Sequence, residues 1–418
     1  MTNNLSVNDQ RLIRTDGPRL THTPSFDGFR GLGVLIVVFY HAELLTWLGG
    51  ALIVIDWFFI ASGFLITMII LDERHATGTN SLRRFYERRV LRLFPAMYAM
   101  IITFTVLMLI LTAASAKVRD ELGNWWIDAL GAATYSYYLV AAIIPNKVTG
   151  AIGHTWSLSL EEQFYFVWPI LLIFALNKAR KSSDRALVVG LGLFIAVMFA
   201  LRFSLHHVAI VGDEAGQVGA IGYTDKDNPS LAGILYRIAG VRPDMIAYGA
   251  VLAFVYKALP NPLDERWRRL LGILGGIGCF VMFGYMAVAN RLSDFRVFNR
   301  GFFDLLGGPA YNIALLFTGI FILDLYVRPE GLIARGLSFG PLRWLGIRSY
   351  GVYLWHVLPI LVFLPAIQNS WGVKRLILGL IAGSIGIAAG VASFRFIEKP
   401  FLHIKETKFR RPHDEAPS

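Results

Sequence analysis

The stretch ALIVIDWFFIASGFLITMIIL, residues 51–71, decides the fold class of this sequence. Its only charged residue is Asp56, and a helix needs ~20 mostly apolar residues to cross a bilayer. Comparable runs recur along the chain, which is 55% hydrophobic and only 17% charged, against about 25% charged residues in soluble domains. A soluble core cannot bury this excess of apolar surface. We therefore predict an all-α, polytopic integral membrane bundle.

The basic loops decide how many of the apolar segments cross the membrane. Eleven segments are long enough to consider: 31–50, 51–71, 93–113, 126–145, 163–177, 186–204, 240–258, 269–289, 307–326, 350–367 and 376–397. The basic N-terminus and the loops 72–92 and 177–181 all fall on the cytoplasmic side only if 126–145 is re-entrant or interfacial. We predict about 10 transmembrane helices plus that one segment, with both termini cytoplasmic.

Charge and cysteine content narrow the function classes. The formal net charge of +11 lies in short loops between spans, so it indicates topology and no nucleic-acid partner. The single cysteine, Cys279, excludes intrachain disulfides and cysteine-rich metal sites, and we expect no metal. Residues 1–24 should form a cytoplasmic N-terminal segment, 25–402 the transmembrane domain, and 403–418 a disordered cytoplasmic tail.

Ionisable side chains inside spans are costly and functional by default. Arg30 begins the first span, and His41 follows ~16 Å further along the helix, near the middle of the bilayer. Ser62 of the next span lies at a matching depth, which favours a functional His41 over a merely packed histidine. Asp56, in the outer half of that span, has an uncertain role. His356, a short way into a late span, fits helix packing and function equally.

A basic cluster follows the second span in the stretch RRFYERRVLRLFP, residues 83–95. A helix places Arg88 on one face with Arg84 and Arg92, and brings Arg89 close to Arg92. One or two arginines would suffice as topology anchors, but five lie within ten residues. Guanidinium groups make charge-assisted, often bidentate contacts to phosphate oxygens. The cluster therefore predicts a polyphosphorylated cytoplasmic ligand.

Carboxylates and aromatic rings mark the opposite side of the predicted bundle. Glu161, Glu162 and Tyr165 enter one span from outside, and Arg242 and Asp244 enter another. An aromatic belt with helix caps would explain the rings alone. Adjacent carboxylates beside Trp and Tyr side chains are also the groups that stack on and hydrogen-bond sugars. The residues alone thus describe either a catalyst working across the bilayer or a transporter.

Six motifs in chain order resemble those of the acyltransferase-3 family of membrane acyltransferases. They are DGFRG at 27–31 with ten residues between Arg30 and His41, DWFFIASGFL at 56–65, RRVLRLFP at 88–95, WSLSLEEQFY at 156–165, YLWH at 353–356 and FRFIEKPF at 394–401. The resemblance covers residues 25–402. It implies O-acylation of an extracytoplasmic carbohydrate or glycolipid in a bacterial cytoplasmic (inner) membrane, with acetyl-CoA or another short acyl-CoA as co-substrate.

For the activity that the resemblance implies, we form a mechanistic hypothesis on the residues identified above. Neutral His41 would act as general base on an acceptor hydroxyl, assisted by Arg30, while Ser62 orients the acyl group or donates to the developing oxyanion. A covalent acyl-enzyme on Ser62 is the alternative. The phosphates of coenzyme A would bind the donor-site arginines Arg88, Arg89 and Arg92. The acceptor would bind Glu161, Glu162, Tyr165, Arg242 and Asp244.

A rival interpretation is a non-enzymatic transporter or flippase of an anionic envelope glycolipid. It explains the spans and the polar ends, but not a His–Ser pair at one depth, and the paired interrupted segments of many transporters are not visible. We expect the loop 205–238 to determine the specificity for the acceptor. Transfer would be completed by the membrane domain itself or passed to a separate envelope export partner.

Overall fold

The computed structural model describes residues 13–178, 181–210, 231–293 and 309–409, and all regular structure in them is helical. The predicted all-α class is confirmed. In chain order the helices are α1 (Pro24–His41), α2 (Ile53–Thr77), α3 (Leu82–Ala114), α4 (Ala116–Leu122), α5 (Trp125–Ala133), α6 (Tyr137–Ile143), α7 (Thr155–Lys178), α8 (Lys181–Ile210), α9 (Leu231–Gly240), α10 (Pro243–Ala258), α11 (Glu265–Ser293), α12 (Pro309–Val327), α13 (Leu332–Leu337), α14 (Gly340–Ile347), α15 (Ser349–Trp355), α16 (Val357–Gln368), α17 (Gly372–Ser393) and α18 (Lys399–Lys408).

Eight stretches of the described chain are long and apolar enough to cross a membrane. They are Ile53–Thr77, Leu82–Ala114, Thr155–Lys178, Ser183–Leu201, Ile238–Ala258, Glu265–Ala289, Ala310–Val327 and Gly372–Lys408. The pair α15 and α16, bent by 46°, would make a ninth span. The polytopic membrane bundle is confirmed, and a count of ten requires α1 as well. That helix is not among the eight, and its 18 residues include Asp27, Arg30 and His41.

The segment 126–145 does not form a spanning helix. It forms α5 and α6, of 9 and 7 residues, whose lengths of ~13 and ~10 Å are far below the bilayer thickness. Asp128 is buried and accepts hydrogen bonds from the Tyr137 hydroxyl at 2.7 Å and from the backbone N–H groups of Thr149 at 2.9 Å and Gly150 at 3.0 Å. The carboxylate thus ties both short helices to the loop that leads into α7.

The first helix differs from the predicted first span at both ends. α1 begins at Pro24, since proline is favourable in the first turn, and it ends at His41. The apolar residues after it, Leu44, Leu45 and Leu48, pack on the core from an irregular connection. The prediction that the span continues to residue 50 is wrong. The residues after His41 are apolar because they pack on the core, and not because they continue the helix. His41 lies at a helix end.

The C-terminal segment is more ordered than the sequence suggests. A π-helical turn, Phe394–Glu398, leads into α18, which continues to Lys408. The prediction of disorder from residue 403 is therefore wrong as far as Lys408. Three parts of these segments lie outside the described residues: 1–12, 211–230 and 410–418. The two ends of the loop 205–238 belong to α8 and α9.

The centre of the bundle is the contact between α2 and α10. A Cβ atom on Gly63 would lie 1.9 Å from the backbone oxygen of Ile246, and one on Gly249 would lie 2.0 Å from that of Ile60. Only glycine permits such close backbone approach, as is common in membrane helix pairs. This contact holds Ser62, next to Gly63, inside the bundle.

Candidate active site

Two histidines from distant parts of the chain meet at helix ends. His41 ends α1, and His356 lies at the bend between α15 and α16. Nδ1 of His41 is 2.9 Å from Nε2 of His356, and the two rings stack with their centroids 5.1 Å apart. His356 is fully buried and His41 is partly exposed. The structure thus joins His41 to a residue whose role the sequence left open.

A third histidine, which the sequence did not single out, completes this cluster. The His154 ring lies edge-on to that of His356 at 5.4 Å, and its Nε2 is 3.1 Å from the backbone oxygen of Leu354. Its position just before the motif WSLSLEEQFY was the available signal. In the described chain, no group of three or more His, Cys, Asp or Glu side chains is arranged to hold a metal ion.

A cavity of about 190 Å³ lies beside the histidine cluster. Five cationic side chains line it: Arg30, Arg88, Arg89, Arg92 and Lys405. Ser157 and Tyr353 line it as well, and their hydroxyl oxygens are 2.6 Å apart. The Tyr353 ring packs on His356 at 5.7 Å. The cavity therefore extends from the basic cluster to the residues that pack on the histidines, although His41 itself does not line it.

Ser62, Glu161 and Tyr165 form the polar wall of this cavity. Glu161 accepts hydrogen bonds from the Ser62 hydroxyl at 3.1 Å and from the Tyr165 hydroxyl at 3.3 Å. The Arg89 guanidinium lies 3.9 Å above the Tyr165 ring. Glu162 is close enough to Arg89 for their charges to interact. Opposite charges thus compensate one another in the bundle interior, where an unpaired charge would be costly.

This arrangement corrects the predicted separation of a basic end from an acidic one. The sequence placed Glu161, Glu162 and Tyr165 across the membrane from the arginines, whereas the structure brings them together. The reason is the relative height of α3 and α7, which apolar runs alone do not fix. The arginine-bearing turns of α3 run beside the middle of α7, where the Tyr86 hydroxyl donates to the backbone oxygen of Phe166 at 2.6 Å.

His41 and Ser62, which the sequence places at one depth, have different hydrogen-bond partners. Ser62 lines the cavity and donates to Glu161, while the ring of His41 bonds to His356. The predicted first span reaches residue 50, whereas α1 ends nine residues earlier. Ser62 lines the cavity, and His41 is joined through His356 to Tyr353, which also lines it.

Asp56, Arg242 and Asp244 belong to a second, buried cluster that joins α2, α10 and α12. The Tyr311 hydroxyl donates to Asp56, and the Arg242 guanidinium lies 4.7 Å over the Tyr311 ring. Arg242 also donates to Asn312 at 3.0 Å, and its Nε is 3.9 Å from Asp244. Arg242 and Asp244 are 2% and 1% exposed and line no part of the cavity. Their burial departs from the expectation that they contact an acceptor.

Comparison with known proteins adds independent information. Residues 23–395 match the model of a protein family, Acyl_transf_3, described as an acyltransferase domain. The chain is 29% identical to the peptidoglycan O-acetyltransferase OatA of Listeria monocytogenes, over 91% of this chain and 56% of that protein. It is 28% identical to the O-acetyltransferase OatA of Staphylococcus aureus, over 96% of this chain and 62% of that protein.

The chain therefore spans less than two thirds of the length of these relatives. No solved structure matches it. The matched region contains the histidine cluster, the arginines and the carboxylates described above, and it ends before α18 and Lys405.

Proposed function

This chain belongs to the acyltransferase-3 family, whose model covers residues 23–395, and from that premise we propose that it transfers an acetyl or other short acyl group from cytoplasmic acyl-CoA to a hydroxyl of an envelope glycan or glycolipid. The observation that carries the proposal is one cavity that links five cationic side chains to the tyrosine packed on the His41–His356 pair. The relatives named as O-acetyltransferases, one of them for peptidoglycan, support a glycan acceptor.

The cationic side chains of the cavity are assigned to the acyl donor. Coenzyme A carries several phosphate groups, and guanidinium groups bind phosphate oxygens with paired hydrogen bonds. Arg88, Arg89 and Arg92 would hold these phosphates, with Arg30 and Lys405 adding charge. The apolar part of the lining, which includes Phe58, Phe59 and Leu65, would take the uncharged pantetheine arm.

The remaining polar groups of the cavity would orient the donor. Ser62, Tyr165 and Glu161 are linked by hydrogen bonds on the same wall as Arg89. Because Glu161, Glu162 and Tyr165 lie with the arginines, we assign them to the donor site and not to the acceptor. Arg242 and Asp244 would affect the acceptor only indirectly, by fixing the helices they join.

His41 would be the general base. It is the partly exposed member of the histidine pair, and a neutral imidazole can accept a proton on one of its ring nitrogens. It would take the proton of the acceptor hydroxyl as that oxygen attacks the thioester carbon, a form of catalysis that contributes about 100-fold or more. A flippase would need no such base, so family membership and the histidine pair favour the enzyme.

The proposal includes an orientation. The arginine end of the cavity would face the cytoplasm of a bacterial cell, where acyl-CoA is made, and both termini would lie on that side of the cytoplasmic membrane. The acceptor would approach His41 from the opposite side. A separate envelope protein could then carry the acylated product further.

Mass spectrometry of envelope glycans and glycolipids tests this function in cells. A strain that lacks the gene should lose one acyl mass from one component, and the parental gene should restore it. The His41→Ala variant, expressed to the same level, should not restore it. His75→Ala is the matched control, because this exposed histidine at the end of α2 lies outside the cavity. Unchanged glycans and glycolipids in the deletion strain would contradict the proposal.

A further inference from the structure

His356 is hydrogen-bonded through both of its ring nitrogens. Its Nδ1 lies 2.7 Å from the backbone oxygen of Tyr353, and its Nε2 lies 2.9 Å from Nδ1 of His41. His356 is fully buried, while His41 keeps partial exposure. The two rings therefore form a chain of hydrogen bonds that begins at a backbone carbonyl and ends at the exposed imidazole.

These partners assign the hydrogens on both rings. A carbonyl oxygen can only accept, so Nδ1 of His356 carries a hydrogen. A neutral imidazole has one such hydrogen, which leaves Nε2 of His356 to accept from Nδ1 of His41. Nε2 of His41 then has a free lone pair.

The alternative is a charged His356, which would reverse the direction of the bond to His41. Burying a charge without a counter-charge is costly. In the described part of the chain, the ring nitrogens of His356 bond to a carbonyl and an imidazole, and not to a carboxylate. The neutral assignment is therefore the favourable one.

We propose that His356 is a positioning residue, which holds His41 in the tautomer whose Nε2 is free to act as the base. The inference rests on the proposed function. As the acceptor oxygen bonds to the thioester carbon, its proton passes to Nε2 of His41. The carbon–sulfur bond then breaks, and the same proton passes from Nε2 to the coenzyme A sulfur. Nδ1 of His41 keeps its hydrogen bond to His356 throughout, and that bond steadies the imidazolium.

The surroundings of His356 restrict its movement. A Cβ atom on Gly386 of α17 would lie 2.8 Å from the Cα of His356. The backbone of α17 therefore contacts the bend between α15 and α16. The rings of His154 and Tyr353 pack on the imidazole at 5.4 and 5.7 Å. His356 is therefore held from several sides, as a residue that orients another must be.

Two amide substitutions separate the two hydrogen bonds of His356. In His356→Gln, the amide oxygen can replace Nε2 as the acceptor for His41, whereas in His356→Asn the amide nitrogen can replace only Nδ1, the donor to Tyr353. We expect His356→Gln to keep kcat within about 10-fold of the parental value and His356→Asn to lose about 100-fold or more. The KM for acetyl-CoA should stay unchanged in both, because neither substitution alters the cationic lining.

Equal kcat values in the two variants, at parental melting temperatures, would overturn the proposal. Nitrogen-15 NMR of histidine-labelled protein gives a second test that does not require either variant to fold. The imidazole nitrogen resonances that disappear in His41→Gln are those of His41. They should show that its Nδ1 carries a hydrogen and that its Nε2 does not. The opposite tautomer would overturn the proposal. Because this signal is independent of turnover, it still tests the positioning if the parental protein transfers no acyl group, an outcome that would instead refute the proposed function.

Discussion

At the scale of single residues, Arg89 illustrates how the cavity holds its charge. Its guanidinium lies 3.9 Å over the ring of Tyr165, and Tyr165 donates to Glu161. Such a stacked cation stays available at its edges, where its N–H groups can still bind phosphate. Arg89 is therefore held in place without a ligand, which would lower the entropic cost of binding an anion.

Replacing Arg89 should weaken coenzyme A binding specifically. We expect Arg89→Ala to raise the dissociation constant about 10-fold, or ~1.4 kcal/mol, because it removes a prepositioned cation. Thermal stabilisation of the purified protein by increasing coenzyme A measures this. The matched control is Arg84→Ala, since Arg84 is an exposed arginine of the same helix and does not line the cavity. Equal weakening in both variants would mean that net charge, and not this cavity, attracts the ligand.

Single residues also show which parts of the candidate site could be predicted from the sequence. Spacing and motif order were enough to select Arg30, His41 and the arginines at 88–92, and the structure places these arginines in one cavity. The partners of His41 were not predictable in the same way. His356 is 315 positions away, and only the packing of α1 against the bend after α15 brings the rings together. His154 was marked only by its position just before the motif at 156–165.

At the scale of elements, α18 changes the composition of the site. This helix lies beyond the residues that match the family, and it adds Lys405 to the lining of the cavity. Its end is tied to the arginine-bearing helix, because Lys408 forms an ion pair with Glu87 of α3 at 3.1 Å. Part of a segment predicted to be a disordered tail thus lines the cavity.

We expect Lys405→Ala to raise the KM for acetyl-CoA several-fold and to leave kcat unchanged. The reason is that a phosphate-binding cation outside the reacting centre acts on ground-state binding, which appears in KM alone. Initial rates over a range of acetyl-CoA concentrations measure both constants. Lys399→Ala is the control, because this exposed lysine of the same helix does not line the cavity. An unchanged KM in Lys405→Ala would remove α18 from the donor site.

The elements also explain which predictions failed. Apolar runs gave the approximate positions of the spanning stretches, because bilayer thickness fixes the number of residues that a span needs. They could not give the end of α1 at His41, because the apolar residues that follow it are buried in a non-helical connection. Nor could they give the height of α3 relative to α7, which depends on side-chain packing between the two helices.

At the scale of the whole molecule, two of the buried polar clusters in the described chain differ in their surroundings. The cavity between α2, α3 and α7 contains the cationic side chains, while the cluster around Asp56, Arg242 and Tyr311 is closed and lines no part of it. The first has space for a ligand, and the second connects helices. The sequence indicated both sets of residues, because both are rare charges in apolar segments. Only the packing shows that one set lines a cavity and that the other connects helices.

The central claim is that this membrane bundle transfers an acyl group with His41 as base, and labelled acetyl transfer tests it most directly. Purified parental protein in lipid vesicles, given acetyl-CoA labelled in the acetyl group and envelope glycan, should move label to the glycan. His41→Ala should still be stabilised by coenzyme A but should transfer label at least about 100-fold more slowly. Transfer by His41→Ala at the parental rate would contradict the account.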